Sequence, residues 1–204
     1  MLRARTVILA VAAVAIFASV PVLAQDNTGK FFLTVDWVSP NGDDDITVGS
    51  VTDAVQASDD FGYEIGFEGR VNKVIGIEGS FLAGSNDFEL DNNGTDLGSL
   101  DQRALTAALN FHIIPTKHFD LWLAPIASWY SFGELDDING SNLNVNDEWG
   151  YGAQVGFDIG FTKLFAITGG VRYVKLDIST DGGSVAFDPV IARAGVAFRF
   201  GTHH

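Results

Sequence analysis

Residues 149–161, WGYGAQVGFDIGF, decide the fold of this 204-residue chain. Apolar side chains occupy every odd position of the stretch, whereas Gly150, Gln154 and Asp158 stand among the even ones. Alternation of this length is typical of a β-strand with one apolar face and one polar face, and it does not fit a helix. Residues 61–71 repeat the pattern. The sequence is therefore predicted to fold from two-faced strands.

Six further stretches have the same character, which gives eight strands of roughly 11 residues, the length of a tilted membrane-spanning strand. They cover residues 30–38, 74–84, 103–113, 119–132, 164–176 and 189–200. The connections alternate between short and long. Residues 72–73, 114–118 and 162–163 are tight turns, whereas residues 39–60, 85–102, 133–148 and 177–188 are predicted to be long polar loops. Tight turns join neighbouring strands as antiparallel hairpins.

The polar face decides which kind of barrel the strands form. A soluble carrier has an apolar interior, and a membrane barrel has an apolar exterior. Here glycine alternates with acidic and basic residues on the polar face, whereas Lys73, Lys117 and Lys163 fall in the tight turns. Small residues between opposite charges suit a narrow interior in which charges pair because water is scarce. The prediction is an all-β, eight-stranded antiparallel up-and-down transmembrane β-barrel.

The N-terminal segment is a targeting signal by its composition. Arg3 and Arg5 precede an apolar stretch that ends in small residues near Ala24, as in a cleavable signal peptide. Residues 1–24 are therefore predicted to be removed, leaving residues 25–204 as one outer-membrane barrel domain. The formal net charge of −14 argues against a nucleic-acid partner, and the absence of cysteine excludes disulfides and thiolate chemistry.

Successive side chains of a strand point to opposite faces, and this alternation, which we call strand parity, places two sets of side chains in the interior. The first is predicted to form a lumen charge network and comprises Glu64, Glu68, Arg70, Glu78, Asp158, Arg172, Arg193 and Arg199. The second lies near the long loops and forms a possible cup for an apolar ligand, and comprises Val38, Leu82, Ile126, Tyr130, Val174, Leu176 and Ile191. An apolar cup above a polar plug would accept a hydrophobic guest and block ions. Parity does not assign individual ion pairs.

Motifs for other chemistry fit poorly. The acidic stretches 43–45 and 89–101 offer oxygen ligands for Ca²⁺, but the second departs from the EF-hand pattern, and solvated acidic loops fit both. Gly182 and Ser184 resemble part of a nucleophile elbow without a nearby histidine. His112 faces the interior and is interpreted as a hydrogen-bonding group. A lipid-modifying enzyme of this architecture needs a Ser–His pair at the membrane-facing rim, and no histidine here stands next to a well-placed serine. We therefore predict no catalytic residue. We also predict no metal and no cofactor.

The chain after the predicted signal peptide resembles a known family in outline, and the motifs that carry the resemblance lie in its C-terminal half. Residues 187–200 read FDPVIARAGVAFRF, residues 171–173 read VRY, and Pro115 precedes LWLAP at residues 121–125. These features resemble the outer-membrane protein W (OmpW) family of small barrels. The resemblance implies an outer-membrane location in a Gram-negative envelope and passage of small hydrophobic compounds.

Of three functions that such a barrel could have, a lipid-modifying enzyme is the weakest because the Ser–His pair is missing, and two others stay open. One is a passive conduit or binding barrel for small hydrophobic molecules. The other is a structural or surface-interaction protein with acidic external loops and no transport role. The expected partners are outer-membrane lipid and lipopolysaccharide, the barrel assembly machinery and, for the first function, a small hydrophobic ligand.

Overall fold

The structure, a computed structural model, describes residues 29–41, 45–48, 51–90, 96–133, 135–138, 141–143, 146–180 and 183–201. The predicted signal peptide, residues 43–44 and the two C-terminal histidines lie outside the described residues. No described segment is a helix that is long and apolar enough to span a membrane.

Most of the described residues lie in β-strands. In chain order they are β1 (Gly29–Ser39), β2 (Asp45–Val48), β3 (Val51–Ala57), β4 (Asp60–Arg70), β5 (Ile75–Leu90), β6 (Asp96–His112), β7 (Phe119–Phe132), β8 (Leu135–Ile138), β9 (Ser141–Leu143), β10 (Glu148–Gly160), β11 (Phe165–Lys175), β12 (Asp177–Thr180), β13 (Gly183–Ala186) and β14 (Val190–Phe200).

Eight of these strands close a barrel. They pair antiparallel in the order β1, β4, β5, β6, β7, β10, β11 and β14, and β14 returns to β1. The closing pair runs from Gly29 opposite Phe200 to Ser39 opposite Val190. Closure leaves no strand edge unpaired, which a bilayer requires because lipid cannot hydrogen-bond to the backbone. The predicted eight-stranded antiparallel barrel is confirmed.

The long connections differ from the prediction, because they contain strands. β5 and β6 continue past the predicted ends and pair as far as Glu89 opposite Asp96. β2 and β3 form a hairpin whose second strand pairs with β5, and β8–β9 and β12–β13 form separate hairpins. The prediction ended each strand where the apolar alternation stops. Backbone hydrogen bonding between neighbouring strands does not depend on that alternation, so it continues further.

The apolar face lies outside the barrel. On β10, Trp149 is 72% exposed and Tyr151 69% exposed, whereas Gln154 and Asp158 are buried. On β1, Leu33 is exposed in the same way. Exposed apolar side chains on every second residue are the lipid-facing surface of a membrane barrel. The structure therefore places the polar face in the lumen.

Side chains fix the three tight turns. The Asn72 Oδ1 atom accepts hydrogen bonds from the Val74 and Ile75 N–H groups at 2.7 and 2.8 Å. In the other two turns, the Thr162 hydroxyl accepts the Phe165 N–H at 2.8 Å and the Thr116 hydroxyl accepts the Phe119 N–H at 3.0 Å. Asn and Thr close turns in this way because their short side chains reach the backbone two or three residues ahead. We call this end of the barrel the turn end, and the opposite end the loop end.

Candidate functional site

The loop-side half of the lumen holds a network of buried charges. Arg172 Nη2 donates to Glu64 Oε1 at 2.8 Å, and Arg193 Nη1 lies 3.2 Å from Glu64 Oε2. The same Arg193 nitrogen lies 3.3 Å from Glu78 Oε1. Gln154 accepts from Arg172 Nε at 3.1 Å, and Asn110 donates to Glu78 Oε2 at 2.9 Å. Two arginines are therefore matched by two glutamates away from water.

A second network occupies the turn-side half. Lys30 Nζ lies 3.1 Å from Glu68 Oε2 and 2.9 Å from Asp158 Oδ2. Arg70 is bonded to Asp120 and lies 3.7 Å from Glu68 Oε1. Here too each carboxylate has a cationic neighbour.

His112 links two carboxylates of the turn-side network. Its Nε2 lies 2.7 Å from Glu68 Oε1, and its Nδ1 lies 2.9 Å from Asp120 Oδ1. The ring is buried, and both of its nitrogens face acceptor oxygens. The geometry agrees with the interpretation of His112 as a hydrogen-bonding group.

Two aromatic rings join the networks. The Arg193 Cζ atom lies 5.1 Å from the Trp122 ring centroid and 5.2 Å from that of Phe32. From the turn side, Lys30 Nζ lies 5.0 and 5.9 Å from the same centroids. Both rings are buried, and cations attract the faces of aromatic rings more strongly where water is excluded. The lumen is therefore filled by charge pairs, rings and amides along its middle.

The structure brings the predicted network residues together. Arg172, Arg193, Glu64 and Glu78 form the loop-side network, and Glu68, Arg70 and Asp158 join the turn-side one. Arg199 lies at the edge of the turn-side network, because its Nη2 is 3.9 Å from Asp158 Oδ2, which is within ion-pair distance but too far for a hydrogen bond.

Sequence reasoning left several members out of this network. Lys30, His112 and Asp120 are part of the turn-side network, and Gln154 is part of the loop-side one. Each stands on the inward parity of its strand, which is the signal that would have included them. Trp122 was also missed, because an aromatic residue in a membrane strand is normally assigned to the lipid face.

The cup residues come together at the loop end. All seven are buried and belong to one apolar cluster, whose other members include Ala104, Phe132, Ile178 and Phe187. Leu82, Val174 and Ile191 are no more than 1% exposed, so the cup is filled by its own side chains. A guest would have to displace some of them.

Phe187 covers the cup from the loop side. Its ring lies edge-on to Phe132, with 6.3 Å between the ring centroids, and Phe132 stacks on Tyr130 at 6.1 Å. The Phe187 N–H donates to the Leu176 carbonyl at 2.8 Å, and Asn41 N–H donates to the Phe187 carbonyl at 3.2 Å. We call the Phe187 ring the cap of the cup. It belongs to the segment that leads into β14.

Asp188 fastens this cap. Its carboxylate accepts the Lys175 ammonium at 2.8 Å, the Leu176 N–H at 2.9 Å and the Tyr173 hydroxyl at 3.3 Å. Its backbone φ of 31° is the positive-φ conformation that Asp and Asn tolerate best among residues with a side chain. Burial alone would raise the pKa of this carboxyl, but the bonds from Lys175 and Leu176 outweigh it and lower the pKa.

Other predicted motifs receive no test. The side chains of residues 43–45, 89–100, Gly182 and Ser184 lie outside the part of the structure whose side chains are described. Among the described residues, no group of three or more His, Cys, Asp and Glu side chains is placed to hold a metal ion.

A family model described as the outer membrane protein β-barrel domain matches residues 10–200. The chain belongs to this family. The predicted outer-membrane location is therefore confirmed. A sequence comparison with curated proteins gives no match.

Solved structures of outer-membrane barrels share the fold. OprG from Pseudomonas aeruginosa superposes with a TM-score of 0.76 at 15% identity, over 86% of this chain and 96% of that one. AlkL, solved in DMPC bilayers, has a TM-score of 0.62 at 17% identity, over 87% and 90%. OmpW of E. coli has 0.51 at 18% identity, over 84% and 98%. The resemblance to an OmpW-like barrel is confirmed at the level of fold.

Proposed function

We propose that this barrel binds small hydrophobic molecules at its loop end and acts as a passive, non-enzymatic conduit for them. The observation that supports the proposal is the contact between an apolar cup and a closed layer of paired charges. Ile191 stands directly opposite Arg172 in the barrel register, and Leu82 stands opposite Glu64. The floor of the cup is therefore the loop-side network.

This arrangement separates guests by polarity. An apolar molecule can replace side-chain contacts within the cup at little cost, because it exchanges one apolar surface for another. An ion gains nothing in the apolar cup and meets paired charges below it, where Arg172 bonds to Glu64 at 2.8 Å. The barrel should accept apolar guests and exclude ions.

The cap is the entry point in this proposal. Phe187 covers the cup with a single ring, and its segment is held by the bonds of Asp188. Movement of Phe187 would expose the cup while the eight barrel strands and the lumen networks stay in place. Lipopolysaccharide around the loop end and the barrel assembly machinery during insertion complete the proposed partners.

The test compares uptake with conductance. Cells lacking other small barrels would express the protein, and uptake of the apolar dye N-phenyl-1-naphthylamine would be followed by fluorescence. Planar bilayers in potassium chloride would report ion flow. We expect faster dye uptake and no ion channel.

A matched pair of variants locates the effect in the cup. Ile126→Asn should slow dye uptake because it places an amide in the apolar wall, whereas Ile126→Val should leave uptake close to that of the unmodified protein. If dye uptake does not depend on the protein, the conduit is wrong and the structural or surface-interaction role is favoured.

A further inference from the structure

A cavity of about 790 Å³ opens at the turn end, on the far side of the lumen networks from the cup. Its lining includes the ends of β1, β4, β10 and β14 and all three tight turns. A volume of this size is typical of small-molecule sites. In outer-membrane barrels short turns face the periplasm, so the cavity would open to that compartment.

The cavity is basic in a strongly acidic protein. Six cationic side chains line it and only three carboxylates do: the cations are Lys30, Arg70, Lys73, Lys117, Lys163 and Arg199. Each of these carboxylates has a cationic partner, since Lys30 bonds to Glu68 and Asp158 and Arg70 bonds to Asp120, although the Oδ1 atom of Asp158 is buried without a hydrogen-bond partner. The chain as a whole has a formal net charge of −14. An excess of positive charge is therefore concentrated at this one place.

The turn lysines supply much of that excess. Lys73, Lys117 and Lys163 come one from each tight turn, and all three are exposed. Within the described part of the chain, no carboxylate lies within ion-pair distance of any of them. Three free ammonium groups thus surround the rim of one cavity.

Arg199 provides a buried cation at the base of the cavity. Its side chain is 10% exposed, and its Nη1 donates to the Lys117 carbonyl at 3.1 Å. Its Nη2 is buried without a hydrogen-bond partner, and the nearest carboxylate oxygen, on Asp158, lies 3.9 Å away. A buried guanidinium N–H without an acceptor is costly, and an incoming oxyanion would supply the acceptor.

We propose that the turn-end cavity is a binding site for a phosphate group. Phosphate fits better than a single carboxylate because its oxygens are arranged tetrahedrally around phosphorus, so that they can accept from cations on different sides of the cavity. Arg199 would hold one oxygen from below, and Lys117 and Lys163 would neutralise the group from the rim. Two sources share this chemistry: a soluble phosphorylated solute of the periplasm, and the headgroup of an inner-leaflet phospholipid.

The first test measures binding of inorganic pyrophosphate to the full chain, folded in phosphate-free nonionic micelles, by calorimetry. We expect saturable binding that Arg199→Gln weakens roughly tenfold, the usual effect of losing one hydrogen bond to a charged group. Arg103→Gln removes the same charge from the exposed outer face near the loop end and should leave binding unchanged. Heat-modified gel mobility would verify folding of each variant.

A second variant decides the matter if Arg199→Gln does not fold. The double variant Lys117→Gln/Lys163→Gln changes only exposed turn residues and should abolish measurable binding, whereas Lys117→Arg/Lys163→Arg should retain it. Pyrophosphate binding with this pattern supports the site and a soluble source.

The lipid source is tested by native mass spectrometry after extraction from phosphatidylglycerol bilayers. Loss of a retained lipid from the double glutamine variant, but not from the double arginine variant, supports the site with a lipid headgroup as its occupant. If neither pyrophosphate nor lipid binds, or if both bind the double glutamine variant as well as the unmodified chain, the proposal is overturned.

Discussion

The ring of Trp122 occupies the space that Gly156 leaves open on the neighbouring strand. The two residues are direct partners in the register of β7 and β10, and a methyl group at Gly156 would overlap the six-membered part of the indole. Phe32 and Gly66 repeat the arrangement between β1 and β4. These two glycines allow two large rings to lie inside an eight-stranded barrel, where they connect the lumen networks.

Gly156→Ala should therefore destabilise the barrel. We expect the free energy of unfolding, measured in urea with the protein in detergent, to fall by about 1–3 kcal/mol, the usual cost of overpacking a filled interior. Adding Trp122→Phe should recover part of the loss, because the smaller ring vacates the contested space. Val155→Ile, which adds bulk on the lipid face of the same strand, should have almost no effect. Equal losses from Gly156→Ala and Val155→Ile would contradict this account of the lumen.

Arg172→Ala tests the loop-side network. The change leaves Glu64 with Arg193 as its remaining cation in a dry interior, and we expect a loss of about 3–5 kcal/mol in the free energy of unfolding. Ion conductance in planar bilayers should rise, because the loop-side network that fills the lumen then lacks one side chain. Val155→Ala is the control on the lipid face and should change neither quantity. Similar effects of the two variants would show that the network does not close the lumen.

Phe187→Ala should open the cup. Removing the ring uncovers Phe132 and the apolar wall beneath it, so dye uptake by cells should become faster. Ion conductance should remain absent, because the networks below are unchanged. An increase in ion flow without faster dye uptake would mean that Phe187 seals the lumen and does not cover an apolar entry.

The Asp188 bonds predict a pH dependence. Because the pKa of this carboxyl is lower in the folded protein than in the unfolded chain, its stabilisation is complete above the unfolded value of about 3.9 and is lost as the pH falls through the folded value. Asp188→Asn keeps a side chain that tolerates positive φ but cannot ionise. The difference in stability between the two proteins should therefore shrink as the pH is lowered from 7 to 3. A constant difference across this range would exclude the carboxylate charge as its cause.

Orientation in the membrane is tested by thiol labelling, because the chain contains no cysteine and an introduced one is its only reactive thiol. Asp147→Cys, at the exposed loop end, should react with an impermeant maleimide on whole cells. Lys73→Cys and Lys163→Cys should react only after the outer membrane is permeabilised, since short turns face the periplasm in this fold class. The reverse pattern would invert the barrel and place the basic cavity outside.

The sequence by itself determined the number of barrel strands, their antiparallel order and the face that meets lipid. These properties follow from a local signal, because successive side chains of a strand point to opposite sides. Gln154 and Asp158 alternate with Val155 and Phe157 along one strand. The first two side chains therefore point to the lumen and the other two to the lipid, whichever strands lie beside them. The extensions of β5 and β6 were missed because the apolar alternation fades in residues 85–90 and 96–102, although the backbones continue to pair there.

Only the tertiary structure decided which charges meet. Arg172 and Glu64 are 108 residues apart and come from strands that are not neighbours, so their contact depends on the curvature and the register of the whole closed barrel. The same holds for Trp122: its position on the strand gives the direction of the ring but not whether the ring fills the lumen. It also holds for Phe187, whose segment folds over the cup from outside the barrel strands. Closure brings distant strands across one narrow lumen, and no local pattern in the chain specifies which side chains then fill it.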